Sequence, residues 1–170
     1  MVTYYIQIKV KEVVIMFSKV DNIDLKILSI LKSNGKTPHQ DIAEFLNFSR
    51  PAINKRVSKL EEGKVIEGYE AIIDYSKIGL PLDSYVLVNV CTLDFNKTIE
   101  NILKLKEKGI YIESVCRITG DKGIFLRVHT SSTEKFKDFH DSILKIKGVV
   151  DTNTMLVIQE EKNEFKDNYI

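Results

Sequence analysis

The chain has 170 residues, 44 % of them hydrophobic, which is enough for one ordinary domain or two small ones, each with its own core, and speaks against a disordered polymer. Its formal net charge of +1 excludes a uniformly basic, histone-like protein, so any nucleic-acid surface must be a local patch. The two cysteines, Cys91 and Cys116, lie in apolar alternating segments without C-x-x-C spacing; with no membrane-length apolar run and no leader pattern, this predicts buried thiols in a cytoplasmic protein.

Residues 1–18 form an N-terminal extension in which Tyr4, Ile6, Ile8 and Val10 alternate with Tyr5, Gln7, Lys9 and Lys11. That is strand periodicity, and two readings stay open: an extra strand, or sequence upstream of a natural start at Met16. Over residues 19–75 the period becomes helical. Ile23, Ile27, Ile30 and Leu31 share a face behind Asp21, a fitting N-cap, and the helix stops near Asn34-Gly35. A second helix follows Thr37-Pro38-His39-Gln40, with Thr37 as cap, Pro38 in the first turn and Gln40 completing a capping box. After a tight turn at Asn47-Phe48, Ser49 caps a third helix that runs to about Glu62 and turns Ile53, Val57 and Leu60 inward. Three helices with a tight turn between the last two describe a helix-turn-helix, and Val65 to Asp74 reads as two short strands around Gly68, a wing.

Residues 76–82 carry turn chemistry and read as a linker. Residues 83–160 then give strand (Tyr85 to Cys91), helix (about Lys97 to Lys108), strand (Ile112 to Thr119), strand (Ile124 to Thr130), helix (Thr133 to Ile146) and strand (Val149 to Ile158). The order β-α-β-β-α-β is ferredoxin-like, so the fold class is α+β: an N-terminal winged helix-turn-helix followed by a βαββαβ domain. The helices should bury Ile99, Ile102 and Leu103, and Phe136, Phe139, Ile143 and Ile146. Apolar residues on both faces of the first strand predict that a second copy covers the open face of the sheet, giving a homodimer. Residues 161–170 read as a charged, solvated tail.

On the third helix the residues left outside the core include Arg50, Pro51, Asn54, Lys55, Arg56 and Lys59, and no acid occurs from Ser49 until Glu61. Four cations and an amide presented after a tight turn suit the DNA major groove. Arg50, Asn54 and Lys55 are the candidates for base edges, and Arg56 and Lys59 for phosphates. Thr37 and His39 are candidates for a phosphate at the second helix's N-terminus, and Ser49 and Pro51, at the start of the third, complete the DNA-binding set. His39, His129 and His140 lie in different elements, and no metal, nucleophile or phosphate-loop motif occurs, so neither an enzyme nor a cofactor is expected. The stretch Thr119 to Gly123 reads as a hairpin turn, with a ligand-contacting loop as the functional alternative.

Taken together, Asp21 to Leu28, Asn34-Gly35-Lys36, Asp41-Ile42-Ala43, Ser49 with Arg56, Leu60-Glu61 and Val65 to Tyr69 resemble the DNA-binding half of the Lrp/AsnC (feast/famine) transcription regulators. Ile118 to Asp121, Gly148-Val149 and Thr152-Asn153-Thr154 resemble that family's effector-binding and oligomerisation (RAM-type) domain. The resemblance spans roughly Val20 to Gln159. It implies a nucleoid-associated homodimer, extending to tetramers or octamers, that binds promoter DNA and an amino acid or related metabolite near Gly120 and Asp121, with Thr154 nearby. One position departs: where the family commonly carries an aspartate able to hold an amino group, this chain has Gly123. The other readings are a metabolite-binding module without specific DNA binding, and an enzyme similar to the haem-pathway decarboxylases. The latter share the two-domain frame, but Val65 to Asp74 lacks the arginines their tetrapyrrole site uses.

Overall fold

The computed structural model describes residues 20–120 and 123–161; the alternating segment near the N-terminus, Asp121 and the tail from residue 162 lie outside the described residues. The chain divides into two compact units, one reaching Ala71 and the other spanning Ile72–Glu161.

The first unit holds α1 (Asn22–Ser33), α2 (His39–Leu46) and α3 (Arg50–Glu62). Asp21 caps α1: its Oδ1 accepts from the N–H groups of Ile23 and Asp24, each at 2.9 Å, and Asp24 Oδ2 accepts from the Asp21 N–H at 3.1 Å. This reciprocal cap satisfies donors that the first helical turn would otherwise leave unpaired. The cap expected at Thr37 does not form. Pro38 has a non-helical ψ of 140°, and its carbonyl accepts the first helical bonds, from Asp41 at 3.0 Å and Ile42 at 3.2 Å. Thr37 therefore stands one residue too early, and its hydroxyl donates back to the Asn34 carbonyl at 2.7 Å, while Gln40 donates to Glu44.

The turn between α2 and α3 is made by Asn47 in the left-handed region (φ 57°), a conformation to which asparagine is suited. Ser49 caps α3 by accepting from the Ala52 N–H, and Pro51 sits in the first turn, where its missing N–H costs nothing. Ile27, Leu31, Ile42, Ala43, Ile53, Val57 and Leu60 form the buried core, so each helix contributes its apolar stripe. Val65 and Ile66 pack against that core, but residues 67–74 form no strands, contrary to the hairpin expected around Gly68. Ile72 and Ile73 are adjacent and both exposed, so no one-sided apolar face exists to hold two strands, and a lone hairpin is marginal in water.

The second unit opens with a 3₁₀ turn at Tyr75–Ile78, followed by β1 (Leu82–Val90), α4 (Phe95–Leu103), β2 (Ile110–Arg117), β3 (Ile124–Thr130), α5 (Thr133–Leu144) and β4 (Val149–Leu156). The sheet is antiparallel in the order β2-β3-β1-β4, the βαββαβ arrangement the sequence predicts. Val86 and Val88 of β1, and Ile124, Leu126 and Val128 of β3, are buried with Ile102 of α4 and Phe139 and Ile143 of α5. Strand alternation puts Tyr85 and Leu87 on the opposite face, where they are half-buried. Leu103, expected in the core, is exposed: α4 ends there instead of near Lys108, and the chain turns away towards Gly109, which adopts φ 86°. Both cysteines are exposed instead of buried. Cys91 follows the last residue of β1, and Cys116 pairs with Phe125 on the face that no helix of this unit covers.

That uncovered face carries a connected polar and aromatic network. Arg127 donates from Nε and Nη2 to the two carboxylate oxygens of Asp83 at 3.2 and 2.6 Å, and it also meets Glu113 and Glu160. These acids hold the guanidinium above its ordinary pKa, Asp83 most strongly. His129 contacts Glu113 at 2.7 Å and stacks on Tyr75, with ring centroids 4.0 Å apart. Tyr85 stacks on Phe125 at 5.2 Å.

Candidate nucleic-acid interface

Helix α3 presents its outward face because Ile53, Val57 and Leu60 consume the inward one. Arg50, Pro51, Asn54, Lys55 and Lys59 are exposed along it, as is Ser49 at the cap. Arg50 heads the helix, Asn54 follows one turn later, and Lys55 stands beside Asn54. The residues expected to meet base edges thus occupy the N-terminal half of one exposed helix face, directly after the left-handed turn at Asn47.

Arg56 does not share that exposure. Its Nη1 donates to Asp21 Oδ2 and to Asp24 Oδ1, both at 2.7 Å, and its guanidinium lies 5.9 Å from the Phe48 ring centroid. Asp24 is 2 % exposed, so removing Arg56 would strand a buried carboxylate. Arg56 therefore ties α3 to the capped end of α1, a structural task not expected of it from the sequence. The Asp24 N–H and then Arg56 hold the Asp21 carboxyl below its ordinary pKa of 3.8. That Asp24, in the first turn of α1, is the buried partner of a cation 32 positions away emerges only from how α1 and α3 pack.

His39 is the first residue of α2, half-buried, with its Nδ1 2.7 Å from Asn54 Oδ1 on α3. Two residues expected to act separately are thus partners. Thr37, also half-buried, spends its hydroxyl proton on the Asn34 carbonyl.

In the second unit, Gly120 lies in the β2–β3 turn with φ 102° and open space where a Cβ would stand. Thr154 lies elsewhere in the sheet: it pairs with Val86, whereas Val88, two residues nearer the Gly120 end of β1, pairs with Ile124 and Thr152. Gly123 has φ 77°, and a Cβ there would come within 2.9 Å of Phe95 Cε1 and 3.0 Å of Val90 Cγ2. Any side chain at 123 would be both strained and crowded. Arg117 lies over the Phe95 ring at 3.9 Å. Among the described residues no group of histidines, cysteines and acids is placed to hold a metal, and no helix is long and apolar enough to cross a membrane.

Comparison with known proteins agrees with this two-part layout. Residues 20–67 match the winged helix-turn-helix DNA-binding family, and residues 86–166 match the Lrp/AsnC ligand binding domain. The chain is 33 % identical to HTH-type transcriptional regulator FL11 of Pyrococcus horikoshii over 142 residues, covering 84 % of this chain and 91 % of FL11. The structure of LrpC from B. subtilis is similar with a TM-score of 0.72 at 27 % identity, over 84 % of this chain and 97 % of that one. The regulator NMB0573 from Neisseria meningitidis, solved as an L-Met complex, shares the fold with a TM-score of 0.75 at 22 % identity, over 85 % and 94 % of the two chains.

Proposed function

Since this chain belongs to the Lrp/AsnC family of DNA-binding transcription regulators, we propose that it acts by laying α3 in the major groove of promoter DNA as a homodimer. The observation that carries this reading is the exposed α3 face of Arg50, Asn54 and Lys55 behind the Asn47 turn. Arg50 and Lys55 supply donors for guanine edges or phosphates, and Lys59, further along the helix, serves the backbone. Ser49 and Pro51 set the start of the helix against the strand. Thr37 and His39 flank the start of α2, whose first-turn backbone N–H groups would meet a flanking phosphate, since the Thr37 hydroxyl hydrogen is spent on Asn34. Arg56 is left out of the contact set because Asp21 and Asp24 hold it.

Dimerisation is proposed through the open sheet face. Tyr85, Leu87 and Phe125 form its half-buried centre, with exposed Met155 beside Tyr85, and a second copy would remove that apolar surface from water. Larger assemblies, tetramers or octamers, and a place in the cytoplasm on the nucleoid belong to the same proposal. So does an effector of the amino-acid or related small-metabolite class in the second unit, near Gly120 and Asp121 with Thr154 across the sheet. The fold shared with an L-Met complex supports that ligand class. The strain and crowding at Gly123 argue against a side chain there taking part in holding the ligand's amino group.

Footprinting of the purified chain on the DNA upstream of its own gene, against a scrambled fragment at one fixed salt concentration, tests the reading. Protected blocks spaced by a helical turn or its multiples are expected. Equal and weak protection of both fragments would overturn it.

A further inference from the structure

We propose that His39 is a specificity-positioning residue: by engaging the Asn54 amide oxygen it makes Asn54 present N–H donors, so that this position of the site reads guanine in preference to adenine. The inference rests on the reading of α3 as the recognition helix. A carboxamide oxygen only accepts, so a 2.7 Å contact between His39 Nδ1 and Asn54 Oδ1 requires the hydrogen on Nδ1. Asparagine reads adenine by turning both amide atoms to one base edge, accepting from N6 through Oδ1 and donating to N7 through Nδ2. With Oδ1 turned towards α2, the amide cannot lay both atoms on one edge, and what it offers outward is the NH2 group. The base edge that answers a donor with two acceptors is guanine, through N7 and O6.

The placement follows from the two helix starts. His39 opens α2 and Asn54 stands in the second turn of α3, and both helices are held by one core through Ile42, Ala43, Ile53 and Val57. The two side chains therefore meet without help from a ligand. Asn54 itself is exposed, so its amide would otherwise rotate freely to suit either purine.

The test is selection of binding sites from a randomised duplex pool by the full chain at fixed salt, for wild type, His39→Ala, His39→Asn and Asn54→Ala. Asparagine carries an amide nitrogen the same number of bonds from Cβ as Nδ1, so His39→Asn can restore the donor. Wild type and His39→Asn are expected to favour guanine over adenine at one position of each half-site by on the order of ten-fold, the equivalent of about 1.4 kcal/mol. His39→Ala should shift that position towards adenine and leave the rest of the motif unchanged, a result that general loss of stability would not produce. An unchanged motif in His39→Ala, with the same position lost in Asn54→Ala, would overturn the role of His39 while leaving α3 as the reader. A wild-type chain that enriches no motif would overturn the DNA reading, and this inference with it.

Discussion

Arg50 and Arg56 have the same side chain on the same helix, yet their surroundings differ. Arg50 is exposed at the head of α3, and a guanidinium there can lay two parallel donors on one base. Arg50→Ala should weaken specific binding by about 1–3 kcal/mol and relax sequence preference; titration of a specific and a random duplex at one salt concentration checks it, and equal losses on both would refute the assignment. Arg56→Ala should instead act on the fold, costing about 1–3 kcal/mol of stability because buried Asp24 loses its cation. The partner acid adds a pH signature. The Asp21 pKa is lowered on folding, so its contribution is complete above the unfolded value and fades as pH falls through the folded one. Asp21→Asn should therefore be less stable than wild type at neutral pH, with the gap closing below about pH 4. Urea midpoints by circular dichroism across that range would show it. That Arg56 is tied to α1 was not legible from its place in a basic helix, since Asp24 becomes its buried partner only through packing.

At the scale of elements, helix starts decide how well the reading helix is held. Ser49 is the side chain that caps α3, and the next residues bear the groups proposed to read bases, so fraying of this turn would loosen them. Ser49→Ala should cost about 1 kcal/mol of stability, measurable as a lower urea midpoint, and reduce specific binding more than non-specific binding. The start of α2 lies one position later than the sequence predicts, because proline is at home both in the first turn and just before it; its ψ of 140° puts it outside. In the winged helix-turn-helix unit, the strands expected of the hairpin do not form over residues 67–74. Val65 to Asp74 has the composition of two strands and a glycine between them, but strand composition describes a half-buried pleated surface, and here only Val65 and Ile66 find a core to lie on. By contrast β3 falls on Ile124–Thr130 as read from the sequence, since its alternation matches one covered and one open face.

For the whole molecule, the proposed dimer would form through the sheet face opposite α4 and α5. Leu87 sits between Phe125 and Asn153 in the ladder, at the centre of that face. Leu87→Arg should raise the dimer dissociation constant at least roughly ten-fold, about 1.4 kcal/mol, with each unit still folded; light scattering after size exclusion checks it. Unchanged dimers would move the interface elsewhere. By itself the sequence determined the helix-turn-helix, the βαββαβ order, the family and the exposed stripe of α3, because period, caps and chain order are local properties that burial of one face rewards. Only the tertiary structure decided that Arg56 is tied to the acids at the start of α1, that His39 meets Asn54, and that Cys116 and Leu103 face outward. Each of these depends on which residues distant in sequence the packing of two elements brings within a few ångströms, or on where an element stops, and no periodicity records that.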